Sequence, residues 1–151
     1  MDSFKSHTFR QPDSSEGRID SFTFSCIDYR FDEHVRELMR HIFGMDATFD
    51  SFTLAGASLG VNKPENHCWP LTFYNTTDLS ISLHNPKNII ALDHEQCGYY
   101  RAVYGPLSPE KEDELHIKNL KKLQRKICKK YPDISFQGWI LKLDGTFVRI
   151  V

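Results

Sequence analysis

The sequence has no surplus of either charge. Its 19 Lys and Arg are matched by 20 Asp and Glu, so it lacks the basic excess that marks a nucleic-acid binder, and no nucleic-acid partner is expected. It has no apolar run long enough to cross a bilayer, and its opening, MDSFKSHTFRQPDSSEGR, has no apolar core of the kind a secretory signal needs. These absences predict no membrane partner and a cytoplasmic location. Cysteine is scarce. In a reducing compartment the four present, Cys26, Cys68, Cys97 and Cys128, are expected as thiols or metal ligands rather than disulfides. There is no internal repeat and no low-complexity segment, and 151 residues are too few for two independent cores. A hydrophobic fraction of 40% and a charged fraction of 26% suit a single globular unit.

Residues 1–20, polar and rich in Ser, Asp and Arg, read as an N-terminal arm, and residues 21–151 as one domain. Short aromatic and β-branched runs predict strands at Ser21–Cys26, Asp50–Ala55, Asn88–His94 and Ser135–Leu143, with TFVRIV at Thr146–Val151 as an antiparallel edge strand. Between the first two, Phe31, Val35, Leu38 and Ile42 recur at helical spacing and Gly44 supplies a stop. A longer helix is expected after Ser108, its cap. Pro109 suits the first turn, acids crowd the start and lysines the end, and Leu120, Leu123, Ile127 and Tyr131 line one face. The Pro-punctuated stretch between predicts a helix starting near Pro70 and ending before Pro86. Strands alternating with helices imply an α/β fold: a mainly parallel four-stranded sheet, order 2-1-3-4, with helices on both faces.

Two motifs compete for the chemistry. GASLG, Gly56 to Gly60, matches the Gly-x-Ser-x-Gly pattern of a hydrolase elbow and would make Ser58 a nucleophile. That elbow must lead straight into a helix, and VNKPENHCWP follows, polar and broken by two prolines, so a close-packed turn is expected instead. The second is a constellation. Cys26 ends the first strand, and His94 and Cys97 end the third, where an open α/β sheet delivers residues to a crevice. Two thiolates and an imidazole are a zinc-preferring set, and three protein ligands leave a fourth tetrahedral position open. In the stretch CIDYR an extended backbone would turn Cys26, Asp28 and Arg30 to the same side, letting the guanidinium orient the carboxylate beside the metal. Other candidates read as bland. Cys68 and Cys128 are expected in packing, His67 is not expected to chelate beside Cys68, Asp93 reads as a loop cap, and Arg101 as an anion site or a solvated residue.

Cys-x-Asp-x-Arg followed by His-x-x-Cys-Gly resembles the β-class carbonic anhydrases. FTFSCIDYRF, FTLAGASLG, NIIALDHEQCGYYRA and FQGWILKLDGTFVRIV fall in the order of that family's strands and cover most of the chain after residue 20. The resemblance implies a zinc (Zn2+) enzyme that interconverts carbon dioxide and bicarbonate through a metal-bound hydroxide. Cys26, His94 and Cys97 would be the metal ligands, and Asp28 and Arg30 the catalytic dyad, with side chains such as Tyr29 lining the substrate side. It also implies a homodimer or higher homo-oligomer and, as in some members, an Asp28 that leaves Arg30 to close the metal's fourth position. The chain departs from the family at Thr53 and Leu54, where Arg-Asn is common, and at Tyr29 and Tyr99, where smaller residues are usual. Two alternatives stay open: hydrolysis of another heterocumulene such as carbon disulfide, or a noncatalytic zinc-binding or regulatory module.

Overall fold

Hydrophobic alternation sets the architecture. In the computed structural model, which describes residues 17–63, 65 and 68–151, the chain runs β1 (Ser21–Ser25), a 3-10 turn (Tyr29–Phe31), α1 (Asp32–Phe43), β2 (Phe49–Thr53), α2 (Ser58–Asn62), α3 (Cys68–His84), β3 (Asn88–His94), α4 (Gly98–Tyr104), α5 (Pro109–Lys130), β4 (Ser135–Leu141) and β5 (Phe147–Arg149). The sheet order is β2-β1-β3-β4-β5. The first four strands are parallel and β5 pairs antiparallel with β4, so the expected order and edge strand are both present.

Successive side chains of a strand point to opposite faces, and β3 uses both. Ile89 and Ala91 join Phe22, Phe24, Phe73, Leu120, Leu123 and Ile127 in the layer beneath α3 and α5. Ile90 and Leu92 join Leu38, Met39 and Leu141 in the layer beneath α1. A parallel sheet is stable only with both faces covered, and each fully buried Leu, Ile or Phe contributes about 1.5–3 kcal/mol.

Local signals explain the helix ends. Gly44, at φ 95°, closes α1 with its N–H on the Arg40 carbonyl. The Ser108 hydroxyl accepts from Lys111 N at 3.2 Å, Pro109 opens α5, and Lys129 and Lys130 close it. α3 starts two residues earlier than expected, at Cys68, because a proline in the first turn removes only an N–H that has no intrahelical partner. Part of the expected arm belongs to the fold. Ile19 N–H donates to His84 O, and the Asp20 carboxylate accepts from both Thr48 N and Thr48 Oγ1. Residues 1–16 of the arm lie outside the described residues. Cys68 and Cys128 are exposed, not packed inside. Among the described residues no helix is long and apolar enough to cross a membrane.

Candidate metal centre

Register brings the constellation together. β1 pairs with β3 as far as Ser25 opposite Leu92, so Cys26, the next residue, arrives level with the end of β3 where His94 stands. Cys97 follows after a tight turn in which Gln96 takes φ 54°. The ligand atoms of Cys26, His94 and Cys97 all lie within 4.8 Å of one another, with the two sulfurs 3.9 Å apart.

The donor set fits a metal ion. His94 Nδ1 lies 2.9 Å from the Glu95 carbonyl oxygen, a contact that places the ring proton on Nδ1 and leaves a lone pair on Nε2. Nε2 is buried and has no hydrogen-bond partner, an orphaned acceptor aimed at two sulfurs. The hydrogen bond with Cys97 draws the Cys26 thiol well below its ordinary range, against its burial and helped by His94 and the Gly56 N–H at 3.3 Å. The same sulfur contact, with burial, pushes Cys97 up. Burial works against protonation of His94, but the Cys26 sulfur, the Glu95 carbonyl and Asp28 together raise its pKa.

Asp28 and Arg30 meet by a different route from the one expected. The backbone is not extended through them. Asp28 caps the 3-10 turn by accepting from Arg30 N at 3.1 Å, and the turn folds the guanidinium back so that Nε and Nη2 reach the two carboxylate oxygens at 3.0 and 2.7 Å. Those hydrogen bonds lower the Asp28 pKa to about 2. Asp28 Oδ2 stands 3.8 Å from His94 Nε2, and Arg30 Nη2 also donates to the Gln96 carbonyl at 3.2 Å. The dyad opens on a cleft of about 750 Å³ lined by Cys26, Ile27, Tyr29, Ala55, Tyr99 and Ala102 among others.

Ser58 is no nucleophile, for a reason the sequence did not show. A short helix, α2, does start at Ser58 within GASLG and runs to Asn62, contrary to expectation. Yet Ser58 is fully buried, its Oγ donates to Asp93 at 2.6 Å, and the strained left-handed position is Ala57 instead. Both glycines of the pattern have packing reasons. A Cβ on Gly56 would meet the Tyr99 ring at 2.4 Å, and one on Gly60 would meet the Ala55 carbonyl at 2.5 Å.

Sequence reasoning also missed what lies behind the centre. Asp93, read as a loop cap, is buried and accepts from Ser58 N, Ser58 Oγ and Tyr100 OH, with His116 Nδ1 at 2.9 Å. Glu112 accepts from the N–H groups of Gln96 and Cys97. No local pattern marks these residues, since Glu112 reads as one more acid in a helix's first turn. Arg101 is exposed beside a hollow of about 110 Å³ that Glu95 and Glu112 also line, and two carboxylates there disfavour an anion. His67 lies outside the described residues.

Comparisons with known proteins bear on the family and the fold. A family model described as "Putative carbonic anhydrase" matches residues 19–150. An uncharacterized protein of Rickettsia bellii (strain RML369-C) is 35% identical over 130 residues, covering 83% of this chain and 78% of the relative. One of Rickettsia conorii (strain ATCC VR-613 / Malish 7) is 33% identical over 129 residues, covering 83% and 69%. Among solved structures, a β-carbonic anhydrase of Sordaria macrospora, described as tetrameric, superposes with a TM-score of 0.53 at 15% identity over 89% of this chain and 81% of that one. The β-carbonic anhydrase CafA of Aspergillus fumigatus gives 0.52 at 11% over 88% and 76%. At such identities these structures share the fold. With nearly its whole described length matched by the family model and two relatives above 30% identity, the chain belongs to the family described as "Putative carbonic anhydrase".

Proposed function

We propose that the protein catalyses the zinc-dependent, reversible hydration of carbon dioxide to bicarbonate, with Cys26, His94 and Cys97 holding the metal. The observation that carries this reading is the buried, unpartnered Nε2 of His94 converging with two sulfurs beside a carboxylate held ionised by Arg30. Zinc supplies Lewis acidity that makes hydroxide available from water near neutral pH, less strongly with two thiolate ligands than with three imidazoles.

This chain's own residues do the rest. Asp28, its two oxygens fixed by Arg30, accepts a hydrogen bond from the reacting water and aims that water's lone pair at the substrate carbon. Ile27, Tyr29 and Ala55 give the cleft an apolar lining suited to a small uncharged substrate. Asp28, already 3.8 Å from His94 Nε2, is also the residue that would close the site by leaving Arg30 for the metal. Thiolate ligands require a reducing compartment, which supports a cytoplasmic location. Like the tetrameric Sordaria macrospora relative, the protein is proposed to be a homo-oligomer.

The test is a stopped-flow indicator assay of carbon dioxide hydration on zinc-loaded protein, run beside a carbon disulfide assay. Hydration that disappears with the metal in Cys97→Ser is the expected result. Turnover of carbon disulfide alone would move the substrate within the heterocumulene class, and zinc bound without either activity would support the noncatalytic module.

A further inference from the structure

The turn between His94 and Cys97 is held from many sides. Gln96 sits at φ 54°, a left-handed conformation that a non-glycine residue keeps only when its surroundings impose it. Glu95 N–H donates to the Leu141 carbonyl, and the Glu95 carboxylate accepts from Leu143 N, both at 2.9 Å. The Gln96 carbonyl accepts from Arg30. The remaining two amides, of Gln96 and Cys97, converge on a single side chain from another element. Glu112 of α5 takes the first on Oε2 and the second on Oε1, each at 2.9 Å.

Glu112 is itself buried, with His116 beside it. His116, one turn further along α5 and fully buried, places Nε2 3.9 Å from Glu112 Oε1 and Nδ1 2.9 Å from Asp93 Oδ2. Asp93 directly precedes His94 in β3 and is pinned by Ser58 and Tyr100. Glu112 therefore grips the turn at Gln96 and Cys97, while Asp93 is anchored separately beside His94. Leu120, Leu123 and Ile127, further down α5, pack into the core away from this turn.

We propose that Glu112 is a positioning residue for the metal centre: by holding the amides of Gln96 and Cys97, it fixes the Cys97 sulfur relative to the His94 ring and aims the Gln96 carbonyl at Arg30. The inference rests on the metal reading above. Metal–ligand distances tolerate errors of only about 0.2 Å, so a backbone amide released from its acceptor is felt at the adjoining sulfur. In Glu112→Gln the side chain keeps its size, but its NH2 group faces one of the two N–H donors and cannot accept from it.

The experiment loads Co2+ in place of zinc and reads two quantities: the dissociation constant, by competition with a chelator, and the ligand-field bands, which report coordination geometry. Wild type should bind about one Co2+ with thiolate charge-transfer absorption. Glu112→Gln should weaken binding about 10–100-fold, as loss of a group that orients a metal ligand does, and shift the bands. Leu123→Ala, a core truncation in the same helix, should lower thermal stability while leaving affinity and bands unchanged. Unchanged affinity and bands in Glu112→Gln would overturn the grip and leave the metal reading standing. Failure of wild type to bind Co2+ at all would overturn both. If Glu112→Gln does not fold, Glu112→Asp, whose shorter carboxylate reaches only one amide, should weaken binding in the same direction, and unchanged affinity there would be equally fatal.

Discussion

At Arg30 one guanidinium joins three parts of the centre: both oxygens of Asp28 and the carbonyl of Gln96. Its removal should leave the three proposed metal ligands in place and free Asp28 to swing. We expect Arg30→Ala to retain about one zinc per chain and lose most hydration activity, with X-ray absorption finding a carboxylate in the metal's shell at low pH. A water-bound, aspartate-free zinc in that variant would rule out the swing and leave the pair an orienting role only. Ser58 makes the opposite case. Its hydroxyl donates to the buried Asp93 at 2.6 Å, so Ser58→Ala should cost about 1–3 kcal/mol in denaturant unfolding while zinc content stays at the wild-type level. Zinc loss in that variant would show that the Asp93 network acts on the centre more directly than its position behind His94 implies.

Among the elements, α3 and α5 are tied at the end of α5 by Asp78, which accepts from Tyr131 OH at 2.6 Å and from Lys130. Burial pushes the Asp78 carboxyl up, but the hydrogen bonds from Tyr131 and Lys130 more than reverse this, and its pKa is lowered. A folded pKa below the unfolded one means stability that is present above about pH 4 and lost as pH falls through the folded value. Asp78→Asn should therefore lower the melting temperature modestly at pH 7, since the group is well exposed to solvent, and its deficit against wild type should shrink as the pH falls through the folded value. A deficit that persists in acid would assign the effect to packing. On the opposite face, Leu38→Ala in α1 opens a cavity beneath a fully buried side chain and should cost about 2–5 kcal/mol.

For the whole molecule, the sheet ends on one side at β2, whose outer edge has no partner strand among the described residues. The cleft rim carries Ile27 and Tyr29, 65% and 87% exposed. Exposed strand edges and apolar rims are features that proteins cover, and both sit on the same subunit here. Light scattering should find no stable monomer at micromolar concentration. A monodisperse, fully active monomer would contradict the proposed assembly and show that the cleft works as a single subunit presents it.

The strand order, the edge strand and the ends of α1 and α5 were legible in the chain because each rests on local chemistry: period-two burial, a serine cap, a proline in the first turn, a stopping glycine. The approach of Cys26, His94 and Cys97 was legible too, since parallel neighbours deliver their ends to one edge. Tertiary structure alone decided the rest. SLGVN makes a helix whose first residue, Ser58, is held by Asp93 from β3. Asp28 and Arg30 pair through a 3-10 turn rather than an extended run. Glu112 and His116 reach the centre only because α5 packs against β4 and α2, and Glu112 stands 15 residues in sequence from the Cys97 amide it holds. A buried carboxylate and a solvated one have the same letter in a sequence; what distinguishes them is the set of donors that folding brings within 3 Å, and those donors come from elements no local pattern connects.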